Sequence, residues 1–226
     1  YAVSAGLPAP AVHVDHENPD WTAPLFEALE SRGIPYRDWN LGSGELAAFE
    51  TAPQGFFYNR MSASSHTRGN RYAPEMTAGV LAWLEAQGRR TLNGRSALKL
   101  EISKLVQYAA LRRAGLAVPD TVAAPDQTIT RVEFIGRKLA YAVRVDTSTG
   151  FELCPADVCA LDASTCMADA EPRFAFEVID RFGESALGAS LVPRMQAVMT
   201  SEGLDVAAFE FILDADGTAY VYDVNT

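Results

Sequence analysis

An α/β N-terminal half followed by an α+β C-terminal half is the predicted architecture. Up to residue 88, short apolar runs alternate with helical spacings, the pattern of a largely parallel sheet. After residue 131 the apolar period becomes two around glycine-containing turns, the pattern of antiparallel hairpins. The 226 residues are 48% hydrophobic and 21% charged, enough apolar material for one large core or two small ones.

Each element follows from local chemistry. Ala11-Val12-His13-Val14 is an apolar run expected as a strand, and His16-Glu17-Asn18-Pro19-Asp20 is the polar loop after it. Over residues 22–32, Leu25, Phe26 and Leu29 keep helical spacing, and Gly33 stands where a helix-ending glycine belongs. Gly55-Phe56-Phe57-Tyr58 is a second strand. Residues 77–87, with Val80, Leu81, Trp83 and Leu84, form a second helix closed by Gly88. Ser96 is expected to cap one long helix whose Leu98, Ile102, Leu105, Val106 and Ala109 make a single apolar face, ended by Gly115 and Pro119. Val132 and Phe134 precede a Gly136-Arg137 turn, and Leu139, Tyr141, Val143 and Val145 follow it. Residues 154–171 form a loop, and 191–202 a helix closed by Gly203. A second hairpin turns at Asp214-Ala215-Asp216-Gly217.

Charge and composition narrow the function. A net charge of −10 and a pI near 4.8 disfavour nucleic acid and anionic membrane surfaces as partners. No apolar run reaches the ~20 residues of a bilayer span, and residues 1–14 lack the basic and apolar regions of a signal peptide. Three cysteines, Cys154, Cys159 and Cys166, are an odd number at spacings that suit neither a disulfide framework nor a zinc site, so free thiols and a cytoplasmic location are expected. Asp214-x-Asp216 lacks the glycine and glutamate of a calcium loop and is read as a turn. No glycine-rich phosphate loop follows Val14, which argues against a simple nucleotide-binding strand–helix unit.

The terminal hairpin carries the strongest chemical signal. With Asp216-Gly217 as a two-residue turn, Glu210 lies directly opposite Asp223, and a four-residue turn over 214–217 keeps both on one face. Asn225, two residues on, shares that face, while Phe209, Phe211, Tyr220 and Tyr222 are expected on the core side. Two opposed acids destabilise a hairpin. A cation such as Mg²⁺, which prefers hard oxygen ligands, would relieve them. The alternative is a solvated face that is simply acidic.

These residues resemble a known family. Gly203-Leu204-Asp205-Val206-Ala207-Ala208-Phe209-Glu210 and Tyr222-Asp223-Val224-Asn225 are similar to the C-terminal signature of ATP-grasp ligases, in particular the type that glutamylates ribosomal protein. Asn93-Gly94-Arg95 through Lys104, and Leu111-Arg112-Arg113-Ala114-Gly115-Leu116-Ala117-Val118-Pro119, resemble the family's linker helix. Arg131 to Gly136 and Ala142-Val143-Arg144 resemble its arginine-bearing hairpin.

The resemblance implies a Rossmann-like pre-ATP-grasp domain over 1–95, a linker helix over 96–124 and an ATP-grasp C-terminal α+β domain over 125–226. It implies an ATP-dependent carboxylate–amine ligase working through an acyl phosphate. Glu210, Asp223 and Asn225 would hold Mg²⁺, with Mn²⁺ the alternative ion. Lys104 would bind nucleotide phosphate, and Arg131 and Arg144 would act near the transferred phosphate. The implied substrates are a small carboxylate and an amine, an amino acid or short peptide, and related folds are often homo-oligomers. A non-catalytic nucleotide- or metabolite-binding relative is the competing expectation.

The sequence departs from the family pattern. Ile129-Thr130-Arg131 replaces an Asp-x-Arg pattern, and Glu210 and Asp223 exchange the commoner acid types while keeping the charge. The family's ATP-clamp subdomain is not represented near residue 125, so either these residues come from a longer protein or the clamp is deleted. Arg144 alternates with valines and could equally face solvent. Lys104 could equally pair with Glu101 on one helix face. On the substrate side, Asn59, Arg60, Ser62, His66 and Arg68 cluster after a strand end, where α/β layers bind ligands, and His16-Glu17-Asn18 would lie nearby.

Overall fold

The structure, a computed structural model, describes residues 11–42, 51–120, 128–146 and 176–226. The cysteine-bearing loop and the seam near residue 125 lie outside the described residues. Among the described residues, no helix is long and apolar enough to cross a membrane.

The first layer is a parallel sheet of β1 (Ala11–His16), β2 (Tyr36–Asn40), β3 (Gly55–Asn59) and β4 (Arg90–Leu92) in the order β2-β1-β3-β4. Two helices cover it. Helix α1 (Pro19–Ser31) starts at Asn18, whose side chain accepts from the Asp20 amide at 3.1 Å. Its Phe26 meets His16 and Tyr36, so α1 packs on the Val12/Val14/His16 face. Helix α2 (Ala73–Ala86) sets Val80, Leu81 and Leu84 against Phe57 and Trp39 on the opposite face. The two predicted strands are present, and β2 and β4 are additions. Tyr36-Arg37-Asp38-Trp39-Asn40 lacks an apolar run because its neighbours, not its own composition, make it a strand.

The second layer is an antiparallel sheet in the order β7-β6-β5-β8-β9. Its strands are β5 (Thr128–Ile135), β6 (Lys138–Asp146), β7 (Phe176–Val178), β8 (Val206–Leu213) and β9 (Ala219–Asn225). Gly136 and Arg137, both at positive φ, make the two-residue turn between β5 and β6. Helices α3 (Arg95–Glu101), α4 (Lys104–Arg113) and α5 (Ala186–Glu202) pack on the face carrying Val132, Phe134, Phe209, Phe211, Val221 and Val224. Helix α5 begins five residues earlier than expected, with Ser185 accepting from the Gly188 amide. Gly188 lies so close to Phe182 that an added Cβ would sit 1.9 Å from its carbonyl oxygen.

The long helix from Ser96 is corrected to two. Ser103 interrupts it, its hydroxyl accepting from the Val106 amide as an N-cap. The expected single stripe fails with it: Ile102 is 53% and Leu105 85% exposed, while Leu98, Leu100, Ala110 and Leu111 are buried. The break starts α4 at Lys104, beside β9.

Asn93 joins the layers. Its side chain donates to the Val206 carbonyl at 2.8 Å and accepts from the Asp205 and Val206 amides. Its own carbonyl accepts from Asn59 Nδ2 at 2.8 Å.

Candidate active site

The sheet face opposite α3–α5 carries a cluster of charge. Register places Arg131, Glu210 and Asp223 in one row across β5, β8 and β9. Arg131 donates from Nη1 to Glu210 Oε1 at 2.7 Å and from Nε to Glu133 Oε1 at 2.6 Å. Glu210, only 4% exposed, also accepts from the Tyr222 hydroxyl at 3.1 Å and from Asn225 Nδ2 at 3.1 Å. At the edge, Lys104 pairs with Asp223 and donates to Gln107 Oε1 at 3.2 Å. Ile129, Val143, Val145 and Tyr222 form an apolar floor beside the cluster.

A β-bulge creates this row. The loop between β8 and β9 is five residues, 214–218, shaped by Asp214, whose side chain accepts from the Asp216 and Thr218 amides. That loop alone would set Tyr222 opposite Glu210. The register shifts between Glu210 and Phe211, the bulge at Tyr222 absorbs one residue, and Asp223 faces Glu210 after all. Phe209 and Phe211 face the core as expected. Tyr220 and Tyr222 do not: Tyr220 pairs with Ile212, and Tyr222 joins the site face.

Arg144 is a correction of the opposite kind. An uninterrupted two-residue hairpin would put it on the same face as Arg131. A bulge at Ala140 pairs Arg131 with Val143 and Thr130 with Arg144 instead, which moves Arg144 to the other face. There it is half-exposed and donates to Glu177 at 2.8 Å.

Electrostatics follow from burial. Glu210 is raised above the usual carboxylate range first by burial and then by Asp223, with Arg131 pulling the other way. Glu101 is pushed up to about 7 by burial and by Asp223, and it accepts from the backbone amide and hydroxyl of Thr226. Burial works against the Arg131 charge, but Glu133 and Glu210 outweigh it and raise its pKa. Tyr222 is raised by burial and by Glu210, so it remains a donor. Gln107 holds β9 itself: Nε2 donates to the Val224 carbonyl at 2.8 Å and Oε1 accepts from the Val224 amide at 3.2 Å.

Sequence reasoning missed Glu133, Tyr222, Gln107 and Glu101. Glu133 was signalled by lying two residues after Arg131 on one strand. Gln107 was signalled one helical turn after Lys104.

The substrate-side residues lie at the carboxyl ends of β1 and β3. Arg68 pairs with the buried Glu17 and lies over the Trp21 ring at 4.5 Å. Glu17 also accepts from the Ser62 amide at 3.2 Å, and the Ser62 and Ser64 hydroxyls are 2.9 Å apart. Arg60 reaches the Tyr58 hydroxyl at 3.3 Å. His16 bonds Asp38 at 2.7 Å, and Asn18 is spent on the α1 cap. Asn59 is buried and bound to Asn93 and the Met61 amide, and His66 is exposed and bonded within its own turn. Glu17, Ser62 and Arg68 thus come together, and Asn59 and His66 do not join them.

No family model matches the chain, and no curated protein matches it. Solved structures do. The structure of ATP-grasp ligase PsnB complexed with minimal precursor, Mg and ADP superposes with a TM-score of 0.61 at 16% identity, over 95% of this chain and 88% of that one. Macrocyclase MdnC from Microcystis aeruginosa MRC, bound with precursor peptide MdnA, gives 0.59 at 11% over 95% and 91%. D-cycloserine synthetase DcsG gives 0.56 at 14% over 95% and 91%. The chain has the ATP-grasp ligase fold.

Within this ATP-grasp fold the donor set can be tested against a metal. Among the described residues, no group of three or more His, Cys, Asp and Glu side chains is gathered to hold one. The site offers two acids and one amide, and Mg²⁺ characteristically takes one or two carboxylates and completes its shell with phosphate oxygens and water. Glu133, Glu210 and Asp223 meet two cations, Arg131 and Lys104, and Glu101, pushed up to about 7, adds a partial negative charge beside Asp223. Glu210 and Asp223 are already bound to cationic or N–H/O–H donors, and Asn225 donates through Nδ2 to Glu210. The donor types on this face, two carboxylates and an amide, are of the kind Mg²⁺ accepts.

Proposed function

We propose that the chain is an ATP- and Mg²⁺-dependent ligase that joins a carboxylate to an amine through an acyl phosphate. The observation that carries this reading is the row Arg131–Glu210–Asp223, with Asn225 bonded to Glu210, on the open face of the antiparallel sheet. Glu210, Asp223 and Asn225 would hold the ion, which when bound neutralises phosphate oxygens. Arg131 presents a planar donor fork beside it, suited to phosphate or carboxylate, and Lys104 adds a point charge at the β9 edge. Removing one such donor at a developing charge costs on the order of 10²–10³ in rate. Arg144, on the other face, takes no part.

The substrate class is a peptide or small amino acid derivative. The precursor peptides named with PsnB and MdnC support the first, and the small product named for DcsG supports the second. A second reading, a non-catalytic nucleotide or metabolite binder, is favoured by the few residues the sequence spends between Ala124 and Thr128.

ADP release separates the two. A ligase releases ADP only with Mg²⁺ and an acceptor from a panel of peptides and amino acids, and loses that release in Glu210→Ala. Binding of an ATP analogue with no ADP release under any mixture supports the binder, and ADP release surviving in both Glu210→Ala and Asp223→Ala contradicts the metal site.

A further inference from the structure

A second polar site lies in the parallel layer, independent of the ligase reading. Asp15 at the end of β1 is fully buried, and neither carboxylate oxygen has a hydrogen-bond partner. Ser65 and Thr77 are equally buried, and the hydroxyls of both also lack one. Buried polar groups are nearly always satisfied, so three unsatisfied ones in a single region call for an occupant.

Topology brings them together. Asp15 sits beside Asn59 at the carboxyl ends of β1 and β3, on the face covered by α2. Thr77 stands three, four and seven residues before Val80, Leu81 and Leu84, on the same buried stripe of α2 at its strand-end side. Ser65 lies in the 3-10 turn Ala63–Arg68 that connects β3 to α2. Helix α1 leaves β1 on one face of the sheet and α2 leaves β3 on the other, so this is the point where an open α/β sheet receives ligands.

The neighbouring cations do not hydrogen-bond the Asp15 carboxylate. Arg68 pairs with Glu17, and Arg60 lies over Tyr58. Arg37 and His13, one step back on the same face, do not bond Asp15, and His13 is held neutral-prone by burial while bonding the Gln54 carbonyl at 3.0 Å. A lone buried carboxylate is strongly disfavoured without an opposite charge. One carboxylate with two hydroxyl oxygens balances a single positive charge, whereas divalent ions draw on more anionic donors or keep much of their water.

We propose that Asp15, Ser65 and Thr77 form an internal binding site for a small monocation, either an alkali or ammonium ion or the primary ammonium of a larger molecule. Left empty, the site holds the Asp15 carboxyl protonated up to about 8, as burial dictates.

The test is thermal melting of the whole chain near neutral pH at constant ionic strength, with tetramethylammonium chloride replaced stepwise by sodium, potassium, ammonium or methylammonium chloride. Wild type is expected to melt higher as one of these ions rises, and Asp15→Asn to show no such dependence. Thr77→Val, which keeps the shape and removes a ligand, should shift the midpoint concentration about tenfold upward. Response to alkali or ammonium ions alone assigns a free ion, and response to methylammonium as well assigns a larger amine. Thallium(I) NMR on the wild type, which needs no variant to fold, should give a bound resonance displaced by the preferred ion. A wild type indifferent to all four cations, with no bound thallium signal, overturns the proposal.

Discussion

Glu210 on β8 and Asp15 on β1 are both buried acids near the working end of a sheet, and their surroundings differ completely. Glu210 receives Arg131, Tyr222 and Asn225, while the Asp15 carboxylate receives no hydrogen bond. The antiparallel sheet can surround an acid because its neighbours come from register: side chains on adjacent strands stand opposite one another and reach across. At the end of a parallel strand the partners must come from loops and helix starts, and here these supply only neutral hydroxyls. Cross-strand register supplies the Glu210 carboxylate with donors even where acids outnumber cations, whereas the Asp15 carboxylate is left without a donor.

Breaking the satisfied acid should produce the largest effect. Glu210→Ala leaves Arg131 with Glu133 alone and removes the acceptor of Tyr222 and Asn225, so urea unfolding should show a loss on the order of 3 kcal/mol. Glu210→Gln, which can still accept from Tyr222, should lose less.

The unsatisfied acid should show itself through pH. The Asp15 carboxyl is raised from 3.8 to about 8 in the folded protein. The unfolded chain therefore gives up this proton first, and stability falls as pH climbs from about 4 towards 8. Glu101 and Glu210, also raised, slope the same way in any variant. The difference between wild type and Asp15→Asn therefore isolates Asp15: with tetramethylammonium as the buffer cation the variant should gain on the wild type across that window. Equal slopes in the two proteins would mean that Asp15 ionises normally.

The smallest effect is expected at Arg144. It is half-exposed, paired with an exposed glutamate and on the opposite face from Arg131. Arg144→Ala should change stability by no more than about 0.5 kcal/mol and leave ADP release within about twofold, the range of an uninvolved surface residue. A tenfold loss of turnover would place the chemistry on the wrong face of the sheet.

Two bulges decide how much of this was legible in the sequence. Residue parity alone put Glu210 opposite Asp223, and that held because the Tyr222 bulge corrected an odd, five-residue loop, one residue longer than the four-residue turn considered from sequence. For Arg144 the resemblance pointed to the Arg131 face and the alternation with valines left a solvated face open; the Ala140 bulge, with no counterpart to cancel it, turns it to the face away from Arg131. A one-residue slip exchanges the faces of everything beyond it, and neither Tyr222 nor Ala140 carries a sequence mark of a bulge. Helix ends at Gly33, Gly88, Gly115 and Gly203 were readable because each glycine adopts a positive φ. The break at Ser103 was hidden by apolar residues at helical spacing, Ile102 and Leu105, that prove exposed. Asp15 gave no signal, since a single acid after an apolar run is ordinary until its burial is known.

The most direct measurement is the affinity for a non-hydrolysable ATP analogue, by calorimetry, with and without Mg²⁺, in wild type and Asp223→Asn. The variant is chosen because the Lys104–Asp223 pair is partly exposed and its loss should cost the fold no more than about 1 kcal/mol. The expected result is tighter binding with Mg²⁺ in the wild type, and a loss of at least about tenfold in that Mg²⁺ dependence in the variant. Analogue binding of equal strength and equal Mg²⁺ dependence in both proteins would contradict the placement of the nucleotide's metal on Glu210, Asp223 and Asn225.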